Sequence, residues 1–179
     1  MKKFFVFILA LALSIPAFSQ ASTIPQRLEL VEIEINDGEE IISVVNFPSE
    51  GSNHYYLAIG RPGIGNRIIQ LQVDPISELF VALGDNLSEA LLRLQELQKL
   101  FKSDPGTSIE MDGVLSVLSP GDQPVEPVTV TYIRPLLGRK LQFSVQREGY
   151  TRAAYISKME LGSLVTSVKM YSKMHPKER

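Results

Sequence analysis

The chain has 179 residues, 44% of them apolar, and carries 18 lysines and arginines against 20 aspartates and glutamates, for a formal charge of −2. That size and balance fit one ordinary globular unit and speak against broad electrostatic binding of nucleic acid. Cysteine is absent, which excludes disulfides, cysteine–metal centres, a thiol nucleophile and a lipidated N-terminal cysteine.

The N-terminus reads as an address. Lys2 and Lys3 precede an apolar run from Phe4 to Leu13, Ser14-Ile15-Pro16 breaks it, and Ala17-Phe18-Ser19 offers small residues where a signal peptidase reads. The pattern predicts a secretory signal peptide over residues 1–19, cleaved before Gln20 or as late as before Ser22. The run is shorter than the roughly 20 apolar residues of a membrane span. No later stretch is long and apolar enough to span either. The expectation is an exported, soluble protein, periplasmic or extracellular and not a lipoprotein.

From Ser22 to Pro75 the sequence predicts four strands. In Leu28 to Ile35, Val31, Ile33 and Ile35 alternate with Glu32 and Glu34, and Asn36-Asp37-Gly38 has the residues of a hairpin turn. Glu40 to Phe47 is the second strand. His54 to Gly60 is the third, with Tyr55, Leu57 and Ile59 on one face. Arg67 to Val73 is the fourth, where Ile69, Leu71 and Val73 alternate with Gln70 and Gln72. Residues 75–102 then read as one long helix. Ile76, Phe80, Leu83, Leu87, Ala90, Leu94, Leu97 and Phe101 recur at alternating spacings of three and four, behind an Asp74 cap and Pro75. Asn86 with Glu89 is an alternative cap within this stretch, which allows a kink near Gly84.

The same order recurs in the second half. Ser108 to Leu118, Val128 to Tyr132, Leu141 to Val145 and Thr151 to Ile156 are strand candidates. A second helix opens at Ser157 with Glu160 in a capping box and runs along Leu161, Leu164, Val165, Val168 and Tyr171. Setting Leu71 on Ile156 aligns the halves and also pairs Leu79 with Leu164. The expected fold is therefore α+β: antiparallel sheet or sheets with two helices, in a pseudo-repeat of about four strands followed by one helix. The halves, 20–104 and 105–179, are expected to form one compact unit. The first carries 6 basic and 13 acidic residues from Ser22 onward, and the second 10 basic and 7 acidic.

Enzyme templates fail on inventory. There are two histidines, His54 and His175, no serine in a G-x-S-x-G frame, and no H-E-x-x-H or calcium-loop pattern. The acids from Glu29 to Glu40 fit the blocking of an exposed sheet edge. Gly60-x-x-Gly63-x-Gly65 joins two strands rather than a strand and a helix, as a glycine-rich hairpin does. No cofactor and no metal site is expected.

The candidate binding surface is the sheet face turned away from the helices. With Leu57 and Ile59 inward, His54 and Tyr56 point outward beside Gln70 and Gln72, with Arg67 on the same strand. Lys140, Gln142, Ser144 and Gln146 form the corresponding row in the second half, with Arg139, Arg147 and Arg152 at its ends. Amides, a phenol and guanidinium groups on an open sheet can hold a glycan, a peptide strand or a nucleotide.

The doubled order of strands then helix, with Lys140 to Gly149, Tyr150 to Lys158 and the following helix as its nearest local likeness, resembles the PurA/Whirly type of single-stranded nucleic-acid-binding fold. That resemblance implies nucleic acid gripped on the sheet face. The export signal and the acidic first half point instead to an exported, non-catalytic binding or structural module for a peptide, glycan or protein. The alternatives are a carboxylate-based hydrolase and single-stranded nucleic-acid binding. A monomer is expected, with a dimer through the 75–102 helix as the other outcome.

Overall fold

The computed structural model describes residues 26–35, 40–49, 52–60, 78–116, 120–121, 123–147 and 150–176. Eight strands form one antiparallel sheet in which each strand pairs with its neighbours in sequence: β1 (Leu28–Ile35), β2 (Glu40–Asn46), β3 (Tyr55–Gly60), β4 (Glu78–Gly84), β5 (Ser108–Ser116), β6 (Glu126–Ile133), β7 (Lys140–Arg147) and β8 (Tyr150–Ser157). Helix α1 (Leu87–Leu100) follows β4 and helix α2 (Lys158–Met174) follows β8. Four strands and one helix, twice over, is the expected order.

The long helix does not form as expected. Its first third, Glu78 to Gly84, is strand β4, and only Leu87 to Leu100 is helical. The physical reason is burial on both faces. Leu79, Val81 and Leu83 point into the main core, while Phe80 points the other way into a second buried cluster. A short apolar run buried on both sides satisfies a helical spacing and a strand equally well. The alternative cap is the one used. The Asn86 side chain accepts from the Glu89 backbone N–H at 2.9 Å, and the Glu89 carboxylate accepts from the Asp85 N–H at 2.9 Å. The helical part of the expected 75–102 stretch is therefore Leu87–Leu100.

The alignment of the halves changes with it. Leu79 lies in a strand and Leu164 in a helix, so they are not equivalent; the corresponding positions are the caps Asn86 and Ser157. Ser157 closes the expected capping box: its hydroxyl accepts from the Glu160 N–H and the Glu160 carboxylate accepts from the Ser157 N–H at 2.6 Å. The strand expected at 67–73 lies outside the described residues, as do residues 1–19, expected to be a signal peptide, and residues 36–38, expected to be a turn.

Both helices lie on one face, over a single large cluster. It takes Ile42, Val44, Leu57, Ile59, Leu79 and Val81 from the first half and Val130, Tyr132, Leu141, Phe143 and Ile156 from the second. The helices pack against one another and run antiparallel. Gly162 near the start of α2 faces Gln98 near the end of α1, and Ser88 and Leu91 share a groove with Lys169 and Ser172. Helix α2 touches β8 and also β1 and β2, at the opposite edge of the sheet. Eight flat strands would hold those edges roughly 34 Å apart at about 4.8 Å per strand, and a 17-residue helix is only about 25 Å long. The sheet must therefore curl around the helices. In the middle, the described ladder between β4 and β5 runs from Glu78↔Ser116 to Val81↔Gly113.

Candidate functional site

The face of the sheet turned away from the helices differs between the halves. On β1–β4, continued by Val114 of β5, it is a second core and not the polar surface expected. Val45, Phe47, Ala58, Phe80 and Val114 are buried there, and Tyr56 packs against them. Phe47, Tyr56 and Phe80 form an edge-to-face trio with centroids 5.7–6.1 Å apart. The Arg27 guanidinium lies 5.7 Å from the Phe80 ring centre and is shared by Glu29, at 3.0 Å, and the buried Glu78. Burial works against the Arg27 charge, but the hydrogen bond and charge of Glu78, with help from Glu29, outweigh it and raise the guanidinium's hold on its proton. Beneath them Ser43 is fully buried, and its hydroxyl has no hydrogen-bond partner among the described residues. The reason lies in strands such as Ile41-Ile42-Ser43-Val44-Val45, whose apolar residues fall on both faces.

Tyr56 is therefore a packing residue on its body and a phenol at its rim. Burial first, and the nearby Asp85 charge second, push its pKa above the ordinary tyrosine value. His54 is a clasp between segments. One ring nitrogen lies 3.1 Å from the Ser52 hydroxyl and the other 3.0 Å from Asp85, in the turn before α1. Arg67, Gln70 and Gln72 lie outside the described residues.

The second half carries the expected open face. On β5–β8, Ser108, Thr131, Gln142 and Tyr155 stand in register in one row, and Glu110, Thr129, Ser144 and Ala153 in the next. None of these eight is buried. The Ser144 hydroxyl donates to the Thr129 carbonyl at 3.2 Å, which holds one row in place. Lys140 begins β7 opposite Ser157, Gln146 pairs with Thr151, and Arg139 is exposed in the loop before β7. Arg147 pairs with Tyr150 at the β7–β8 hairpin and Arg152 with Val145. So Lys140, Gln142, Ser144 and Gln146 come together, while His54 and Tyr56 belong to the other half. Two features went unnoticed in the sequence. Tyr155 is signalled by the alternation Ala154-Tyr155-Ile156, and Thr129 and Thr131 by alternation with Val128, Val130 and Tyr132.

At the margin of this face the sheet opens into a cleft of about 400 Å³. Past Val81↔Gly113 the β4–β5 ladder stops, and Ala82, Leu83 and Gly84 face Glu110, Met111 and Asp112 across the gap. Glu89 and Arg93 of α1 close one side; Arg93 is paired with Glu96 at 2.9 Å. Glu110 and Asp112 are exposed, and their carboxylates make no hydrogen bond or ion pair among the described residues. Among those residues, no group of three or more histidines and carboxylates is arranged to hold a metal ion, and no helix is long and apolar enough to cross a membrane. Compared with protein-family models, with curated proteins and with solved structures, the chain matches none.

Proposed function

We propose that the protein is an exported, soluble, non-catalytic binding module that receives its ligand on the polar face of β5–β8. The observation that carries this reading is the asymmetry of that half of the sheet. Its inner face is sealed by the helices and the core, and its outer face, beyond the buried Val114, presents hydroxyls, amides and the Tyr155 ring in two rows of residues that are not buried. Such a surface stacks on and hydrogen-bonds neutral polar ligands, a glycan or a peptide. The basic start, short apolar run and small residues Ala17 and Ser19 support export.

Two further readings have an observation each in their favour. The order of four strands and a helix, repeated, supports a fold of the PurA/Whirly type, and with it single-stranded nucleic-acid binding. Against that activity, the described part of the face offers Lys140 as a cation beside Glu110 and Asp112, and a phosphate backbone needs several cations. A carboxylate-based hydrolase draws on Glu89, Glu110 and Asp112 around one cleft.

Binding of the mature chain to soluble polysaccharides, unstructured peptides and oligonucleotides, each at low and high salt, separates the three. The expected result is saturable binding that responds little to salt and weakens in Gln142→Ala and in Tyr155→Ala at unchanged melting temperature. Oligonucleotide binding that falls steeply with salt overturns it, as does hydrolysis abolished by Glu110→Gln or Asp112→Asn. Mass spectrometry of protein from the native host tests export: the expected N-terminus is Gln20 or Ser22, and an intact Met1 in the cytosol refutes it.

A further inference from the structure

We infer that the split between β4 and β5 is a slot that receives an extended, basic peptide segment as an added strand. The inference goes beyond the binding-module reading: it adds a second site, for a charged ligand, at the margin of the polar face. Continued past Val81↔Gly113, the antiparallel register would bring Ala82 opposite Asp112, Leu83 opposite Met111 and Gly84 opposite Glu110. Those six residues instead line the cleft. Each of the two facing segments is paired on its far side only, 82–84 with β3 and 108–112 with β6. Each therefore presents a strand edge to the gap, and a strand edge is a template for another extended chain.

The volume fits that occupant. A strand residue with its side chain fills roughly 160 Å³, from a rise of about 3.3 Å, a strand spacing of about 4.8 Å and a layer of about 10 Å. The cleft of about 400 Å³ thus holds two or three residues, the length of the missing ladder. Because β4 and β5 are antiparallel, an inserted strand runs parallel to one and antiparallel to the other, and both pairings are available to a sheet. Leu83 and Met111 belong to the core side of the cleft and take an apolar side chain. Among the described residues the Glu110 and Asp112 carboxylates, on the polar face, have no hydrogen-bond or ion-pair partner, Glu89 lines the same cleft, and the one cation lining it, Arg93, is already bound to Glu96. A segment alternating apolar and basic residues matches both sides at once.

The test is fluorescence anisotropy of the intact chain with a labelled hexapeptide of alternating lysine and valine, acetylated and amidated at its ends. Its glutamate–valine counterpart and a version N-methylated at alternate residues serve as comparisons. The expected result is saturable binding of the lysine peptide alone. N-methylation, which removes main-chain donors but keeps the charge, should weaken it at least about tenfold, and so should Glu110→Gln with Asp112→Asn. Equal binding of the N-methylated peptide overturns the slot, because it reduces the contact to charge attraction. Absence of saturable peptide binding also overturns it, and if a glycan still binds through Gln142 and Tyr155 the module reading survives alone. A dimer broken by the same double substitution would give the slot to a second copy of this chain and overturn the peptide assignment.

Discussion

At the scale of single residues, the polar groups with the largest predicted effects are buried ones outside the open face. Glu78 is 5% exposed and is held by Arg27. Removing the guanidinium strands a buried carboxylate, so Arg27→Met is expected to cost about 3 kcal/mol, the lower end for a broken buried pair because Arg27 keeps some solvent. Arg27→Met with Glu78→Leu should cost less than the single change; urea unfolding of the three chains measures both. Tyr56 supplies a pH effect whose sign follows from its raised pKa. The folded state favours the protonated phenol. Its contribution is fully present below the ordinary tyrosine value of about 10 and is lost as pH rises through the folded value. Stability of the native chain should therefore fall more between pH 9 and 11 than that of Tyr56→Phe. Equal losses would contradict the burial assigned to this ring.

At the scale of elements, one short stretch decides the topology. Glu78 to Gly84 satisfies a helical seam through Phe80 and Leu83, and a strand through Leu79, Val81 and Leu83. The tie is broken by neighbours distant in sequence, since β3 and β5 flank the stretch and both of its faces have apolar partners. Gly113 marks how closely this seam packs. A β-carbon there would collide with the Val128 side chain and lie 3.0 Å from the Phe80 carbonyl oxygen. Gly113→Ala is expected to cost about 1–3 kcal/mol as overpacking. Gly113→Ala with Val128→Ala should cost less than the sum of the two single changes, since the second substitution clears the space the first needs. In α1, Leu94 is fully buried, and Leu94→Ala should cost about 2–5 kcal/mol by thermal or urea unfolding.

At the scale of the whole molecule, α2 is the fastener. Leu161, Leu164, Val165 and Val168 are buried, and the helix reaches from β8 to β1 across the curl of the sheet. Burying four such side chains is worth roughly 6–12 kcal/mol, comparable to the entire net stability of a domain. A chain ending at Ser157 is accordingly expected to lose cooperative melting by circular dichroism. A sharp transition in that truncated chain would refute the role given to α2.

The sequence by itself determined the strands β1–β3 and β5–β8, the helix after each half, the Ser157 capping box and the polar row Lys140, Gln142, Ser144 and Gln146. All of these rest on local signals: period-two alternation where one face meets water, and side-chain hydrogen bonds spanning three residues. Only the tertiary structure decided that Glu78 to Gly84 is a strand, that the outer face of β1–β4 is a second core, and that Tyr56 is packed rather than displayed. Only the tertiary structure, too, brought Glu110 and Asp112 to a gap opposite Ala82 and Gly84. Where both faces of a strand are apolar the alternation disappears. The chain then carries no local record of which way each residue points, and contacts between segments far apart in sequence choose for it.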